Sequence, residues 1–253
     1  LTVQQNPTIA FAIDVQAAAS ATIAVDTGAS PIFNQPIGAT TSVNNFNVLA
    51  NATPTLNANL NVNSILRLNG GSVLTVGDGV VLNADIDGSI PSNILRIDGA
   101  SNFEFQDDVS GTSLEFINNT VASTNGVALG QNNTAFAQDR LYDVTIDATS
   151  RFEIDAQVRV FNGQTVTNNG TLRMEEGGTL DAGQVTNNGT IQFSITTSTT
   201  GQILTDQDFT VAGADIEIIV DPGNSLSAGD EILLVDALTI NAGAGLALAS
   251  VTD

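Results

Sequence analysis

The chain has no cysteine, no histidine, no tryptophan and no lysine. Each absence removes a class of chemistry. Without cysteine there are no disulfides, no thiolate nucleophile and no thiolate metal site. Without histidine the commonest general base and metal ligand is gone, and a Ser-His-Asp triad cannot be built. Without lysine there is no Schiff-base chemistry. The six basic residues are all arginine, against 27 acidic ones, for a formal net charge of −21. That balance argues against nucleic acid, which is held chiefly by basic contacts to phosphate, and against anionic membrane surfaces. No run approaches the apolar length of a membrane-spanning helix, so membrane insertion is not expected. The first residues have no basic n-region and carry Asp14 within the apolar stretch, unlike a retained signal peptide. With a lone methionine at Met174 and Leu1 at the start, the sequence reads as a processed product or an excised region.

What is present is asparagine, threonine, alanine, valine and glycine, a mixture that favours strands and turns. "TLNANLNVN" alternates strictly from Thr55 to Asn63, with Leu56, Ala58, Leu60 and Val62 on one face and asparagines on the other. This is the period of a strand with one buried face. Asn-Gly, Asp-Gly and Gly-Gly pairs at Asn69-Gly70, Asp98-Gly99, Asn169-Gly170, Gly177-Gly178 and Asn188-Gly189 supply tight corners.

The chain also copies itself. "SILRLNGGS" (Ser64–Ser72) returns as "NILRIDGAS" (Asn93–Ser101), 29 residues on. "IDGASNFEF" (Ile97–Phe105) returns as "IDATSRFEI" (Ile146–Ile154), 49 on, and "VTNNGTL" (Val166–Leu172) as "VTNNGTI" (Val185–Ile191), 19 on. Leu-Arg followed by an apolar residue stands at Leu66–Leu68, Leu95–Ile97 and Leu172–Met174. Strand and corner recur together, as in equivalent stacked coils. The pattern predicts an all-β fold, an elongated right-handed parallel β-helix (β-solenoid) of irregular coils. About ten coils at about 4.8 Å each would make a rod about 50 Å long. A β-sandwich or a series of hairpins is the rival, since Asn-Gly also signals hairpins.

Residues 1–60 are read as charge-poor N-terminal strands, a cap or connector, and 61–253 as the solenoid, with 198–253 as wider terminal coils. Up to residue 66 only Asp14 and Asp26 are charged. "TIAFAIDV" (Thr8–Val15) is therefore a buried capping strand or an edge awaiting a partner chain. "DPG" at Asp221–Gly223 marks a turn.

"VTNNGTLRMEEGGTLDAGQVTNNGTIQF" resembles the coils of bacterial autotransporter and related surface-adhesin passenger regions, and "SLSAGDEILLVDA" (Ser225–Ala237) is similar to a stretch found late in such passengers. The resemblance covers about residues 60–250. It implies a β-helix and an extracellular, cell-surface address. The chain has no Arg-Gly-Asp sequence.

The candidate metal ligands are Asn83, Asp85 and Asp87. With Gly88 they match the first half of a calcium loop, whose oxygens at alternate positions converge on a hard cation. The twelfth position is Ile94 where a bidentate glutamate belongs, so the alternative is a turn with a solvated carboxylate face. Asp107-Asp108 and Glu175-Glu176 are the paired carboxylates a β-helix glycosidase would need, but no motif sets two of them opposite each other. Arg96 with Asp98, Arg151 with Glu153 and Arg173 with Glu175 are read as local charge pairs. Phe103, Phe105, Phe116 and Phe152 are read as core. Sequons at Asn51, Asn118, Asn132, Asn169 and Asn188 are expected by chance in so asparagine-rich a chain.

The function expected is non-enzymatic: an extracellular structural or adhesive solenoid, self-associating into a filament, sheath or surface layer through its ends or its N-terminal strand. The alternatives are a monomeric adhesin passenger with a cell-surface or glycan partner and, behind it, a carbohydrate-active enzyme. No cofactor is expected beyond calcium.

Overall fold

In the computed structural model, residues 1–14, 21–131, 140–195, 200–212, 215–220, 232–242 and 248–252 are described. The turn at Asp221–Gly223, the sequon at Asn132 and much of Ser225–Ala237 lie outside them. Among the described residues there is no helix, and every strand-to-strand ladder is parallel. The chain is a β-solenoid. Each coil visits three faces in turn. The first is built by strands such as Thr22–Val25, Val43–Val48 and Ile86–Asp87. The second runs through Val73–Val76, Ile94–Asp98 and Ser113–Ile117. The third runs through Arg151–Ile154, Thr171–Met174 and Thr190–Ile195.

Alternation decides what fills the interior. On the second face one inward column runs Phe33, Leu56, Val76, Ile97, Phe116, Ile146, Asn168, Asn187, Val211, each registered on the next. The column is apolar except for Asn168 and Asn187, both fully buried. They satisfy each other: Asn168 Nδ2 donates to Asn187 Oδ1 at 2.6 Å and to Thr190 O at 2.8 Å, and Asn168 Oδ1 accepts from Gly170 N at 3.2 Å. A buried amide is tolerated only when bonded this way. The repeated "VTNNGT" therefore carries an internal asparagine ladder, which alternation alone does not announce.

The four phenylalanines are buried as expected, and they form one aromatic cluster. Phe116 and Phe152 stack with centroids 4.6 Å apart, and Phe105 meets both edge-on.

The self-copies divide into two kinds. Val166–Leu172 and Val185–Ile191 are true coil equivalents, with Val166 on Val185 and Leu172 on Ile191. "SILRLNGGS" and "NILRIDGAS" are not. Leu66 registers on Ile86 in the first face, whereas Leu95 registers on Leu74 and Leu114 in the second. Leu172–Met174 lies on the third. One motif has landed on three faces because each face makes the same demand: apolar in, polar out, apolar in.

Residues 1–60 contribute the first coils of the same stack. At the far end, Gln202–Val211 pairs with Thr179–Ala182 through its first half and Gln184–Asn187 through its second, so two faces share one strand around a corner. Val235–Ala242 stacks on it in parallel. Coil length varies while the faces stay aligned. Side-chain bonds between successive coils join residues 19 apart at Asn169 and Asn188 but 29 apart at Asn118 and Asp147.

Candidate functional site

Much of the acidity clasps corners. A corner leaves backbone N–H groups pointing outward, and a carboxylate from a neighbouring coil accepts them. Asp14 accepts from Thr40 N and Thr41 N, each at 3.2 Å, and from the Thr40 hydroxyl. Asp78 takes Ser101 N at 2.9 Å, Asp143 takes Thr165 N at 2.9 Å and Asp155 takes Gly126 N at 2.9 Å. Asp147 accepts Asn118 N at 2.7 Å. Such bonds favour the ionised form. The Thr40 hydroxyl, with Thr41 N, holds Asp14 below the ordinary 3.8, and Ser101 does the same for Asp78. At Asp147 burial pushes upward, but bonds from Ser150, Asn118 and Thr149 outweigh it and the net shift is down.

A second group behaves oppositely. Along the outer side of the first face, Asn47, Arg67, Asp87 and Ser110 are consecutive rungs. Asp87 points outward by alternation yet is only 3% exposed, and Ser110 is fully buried. Neither Asp87 carboxylate oxygen nor Ser110 Oγ has a hydrogen-bond partner among the described residues. A cavity of about 300 Å³ lies alongside, lined by Arg67, Leu68, Asn69, Asp87, Gly88 and Ser89. Burial raises the Asp87 pKa, opposed by the Arg67 guanidinium. Asp107 is raised by burial and by the Asp85 charge.

The two groups predict a stability optimum. Carboxylates with lowered pKa stabilise the fold above their unfolded values, and that stability is lost as pH falls through the folded values, below about 4. Asp87 and Asp107 cost stability when ionised, and the cost is relieved as pH falls through their raised values. Thermal melts from pH 8 downward should rise into the mildly acidic range and collapse below about 4. Asp87→Asn should raise the melting temperature at pH 8 and flatten the upper limb. A melting temperature that falls steadily from pH 8, or is lowered by Asp87→Asn, would refute this assignment.

The three predicted calcium ligands are placed apart in role. Asn83 is exposed on strand Leu82–Asn83, registered on Asn61, Asp85 is exposed at the corner beside Asp107, and Asp87 is buried on the first face near Arg67. No group of three His, Cys, Asp or Glu residues that could hold a metal is found among the described residues. Of the carboxylate pairs, Asp108 accepts from Gln131 N and Glu175 pairs with Arg173. Arg151 pairs with Glu153 as expected, but Arg96 bonds Glu115 on the next coil at 2.8 Å, while Asp98 accepts from Asn118. The ladder, not the strand, chose that partner.

The second face presents a regular outer rank. Thr145, Thr167, Thr186 and Thr210 are successive rungs, and Thr55 and Thr75 continue the rank beyond the Arg96–Glu115 pair. None of these six hydroxyls is bonded to a described residue. The surface formed by residues 1–13 is apolar. Leu1 and Phe11 are 66% and 68% exposed there, and with Val3, Ile9 and Ile13 they line a concavity of about 320 Å³. Strands Thr2–Val3 and Thr8–Ile9 each pair with one described neighbour. Ile240, on an inward column registered on Phe209, is 53% exposed.

No family model matches the chain, and neither a curated protein nor a solved structure does. What fold and surface define together is the class: a parallel β-solenoid with acid-clasped corners, a hydroxyl-ranked face and an apolar surface over residues 1–13. Sequence reasoning missed the Asp87 rung and the Asn168–Asn187 ladder. Each shows only once coils are in register.

Proposed function

We propose that the chain is a non-enzymatic, extracellular structural solenoid of a bacterial surface that joins end to end with further copies. The observation that supports this reading is the apolar, charge-poor surface of residues 1–13, where Leu1 and Phe11 are exposed. A three-sided stack with open parallel edges is complemented by another stack of the same polarity and cross-section, and a head-to-tail contact that does not close yields a fibre. Ile240, on an inward column and exposed, is apolar as well. The low charge of the first coils removes the repulsion that a net charge of −21 would otherwise bring to the joint.

Negative-stain imaging with sedimentation tests it. End-joined rods that lengthen with concentration are expected, and Phe11→Asp should return them to single rods while leaving the circular dichroism spectrum unchanged. Single rods at every concentration would sink the proposal. That outcome would favour an adhesin that works alone, for which the Thr145–Thr210 rank of outward hydroxyls is the supporting feature, as a surface for a cell-surface or glycan partner.

A further inference from the structure

Five Asn-Gly pairs stand along the chain: Asn69-Gly70, Asn125-Gly126, Asn162-Gly163, Asn169-Gly170 and Asn188-Gly189. The pair is chemically labile because glycine has no side chain to obstruct its own backbone nitrogen, which can attack the preceding side-chain amide. In four of the five the fold occupies a reacting group. Gly126 N donates to Asp155 Oδ1 at 2.9 Å, Gly170 N to Asn168 Oδ1 at 3.2 Å and Gly189 N to Asn168 O at 3.1 Å. Asn69 Nδ2 donates to Val48 O at 3.1 Å and is part-buried.

Asn162-Gly163 differs in its glycine nitrogen and its side-chain carbonyl; in exposure, turn and open space it matches Asn125-Gly126, whose glycine nitrogen Asp155 holds. Asn162 and Gly163 are both exposed, at the tip of a turn closed by Gln164 N donating to Phe161 O at 3.0 Å. Gly163 has φ +86°, with open space where a side chain would stand. Its nitrogen donates to no described residue, and Gly183 backs onto it from the next coil without a side chain to crowd it. The Asn162 carbonyl is moreover polarised: Arg140 Nη1 donates to Asn162 Oδ1 at 3.1 Å. Arg140 is itself held by Val160 O at 3.0 Å and by Asp181 at 3.4 Å.

We propose that Asn162 is a built-in site of self-modification, converting to aspartate and isoaspartate through a succinimide. Gly163 N gives its proton to a water or hydroxide and bonds to Asn162 Cγ. Arg140 stabilises the negative charge that develops on Oδ1, as a fixed donor aimed at a forming oxyanion does. The bond from Cγ to the side-chain nitrogen then breaks, and that nitrogen leaves with a proton as ammonia. One water opens the ring at either carbonyl. The balance is one water consumed and one ammonia released. The new carboxylate lies beside Arg140, which then serves two carboxylates, Asp181 and residue 162, on adjoining coils. When the ring opens to isoaspartate, the backbone of this corner also gains a methylene.

The test is peptide mapping of the intact protein after incubation in mildly alkaline buffer, with isoaspartate scored at all five sites and ammonia release followed in parallel. Asn162 should react first. Arg140→Gln should slow it roughly tenfold, about 1.4 kcal/mol of barrier, and Arg140→Lys should restore part of the rate. In concentrated urea the five sites should react alike and the Arg140 effect should vanish. If Asn162 reacts no faster than the other four in the folded wild type, the proposal fails. An unchanged rate in a folded Arg140→Gln protein would overturn Arg140's part in it. The order of reactivity in the wild type decides the site even if that variant does not fold.

Discussion

Phe116→Ala is expected to remove about 3–5 kcal/mol from the stability of the fold, toward the upper end of that range. Phe116 is fully buried in a cluster drawn from successive coils, with Phe105 before it and Phe152 after it. The substitution deletes a ring that stacks on one neighbour and receives the edge of another, and such ring pairs contribute beyond their buried area. The surroundings have little room to collapse into the void. Both adjoining coils are tied by backbone ladders, with Ile97 registered on one side and Ile146 on the other. Urea unfolding should show a large drop in midpoint with the slope unchanged, and Phe116→Leu should recover most of it. A loss under about 1 kcal/mol would mean that the column is loosely packed.

Gly88→Ala should be at least as damaging, for a reason that has nothing to do with conformational freedom. The Gly88 φ lies outside the left-handed region, so alanine could adopt the backbone, and at such a position the exchange ordinarily stabilises by about 0.4–1 kcal/mol. Here a Cβ would stand 2.2 Å from Gly111 O and 2.8 Å from Gly111 C. Those are backbone atoms of the next coil, so no side-chain rotation relieves the clash. Gly88 N is meanwhile bonded to Ser110 O at 3.0 Å, which fixes the spacing. The coils must part or the corner must move. A loss beyond about 4 kcal/mol is expected, in the range reserved for a named structural conflict. Gly28→Ala is the comparison. Gly28 has φ +70° and open space around it, so only the left-handed penalty of about 1–2 kcal/mol applies. Equal melting temperatures for the two variants would show that the coils can separate at Gly88 without cost.

The fold was legible because alternation and corner chemistry are local. Leu60 and Val62 announce an inward side within one strand, but Leu56 belongs to the strand before it, Thr55–Leu56, across a bend at 57–59 that the unbroken alternation of Thr55–Asn63 hides; the "VTNNGT" copies announce a coil because strand and corner recur at its true period. Position around the coil was not legible. Leu66, Leu95 and Leu172 sit in the same three-residue phrase on three faces, since nothing in an in-out-in pattern names the face. The carboxylates were harder still. A lone Asp-Ile-Asp-Gly reads as half a calcium loop, but whether Asp87 meets water, a cation or a dry rung depends on Arg67 and Ser110, one coil to either side. Asp147 clasping Asn118 N, and Arg96 choosing Glu115 over Asp98, are likewise decisions taken across coils. The apolar surface of residues 1–13 and the outward threonine rank became visible only once the coils were in register.

The parallel ladders have a mechanical consequence. Their hydrogen bonds run along the rod, so a pull on its two ends loads every interface between coils in series. A coil of about 22 residues adds about 4.8 Å to the rod, yet released as extended chain it spans roughly 70 Å. Under tension the molecule would lengthen more than tenfold by giving up coils one at a time, each resisting with its own clasped corners. Such a rod would yield in steps rather than snap, and would dissipate as heat the work done on each coil as it opens.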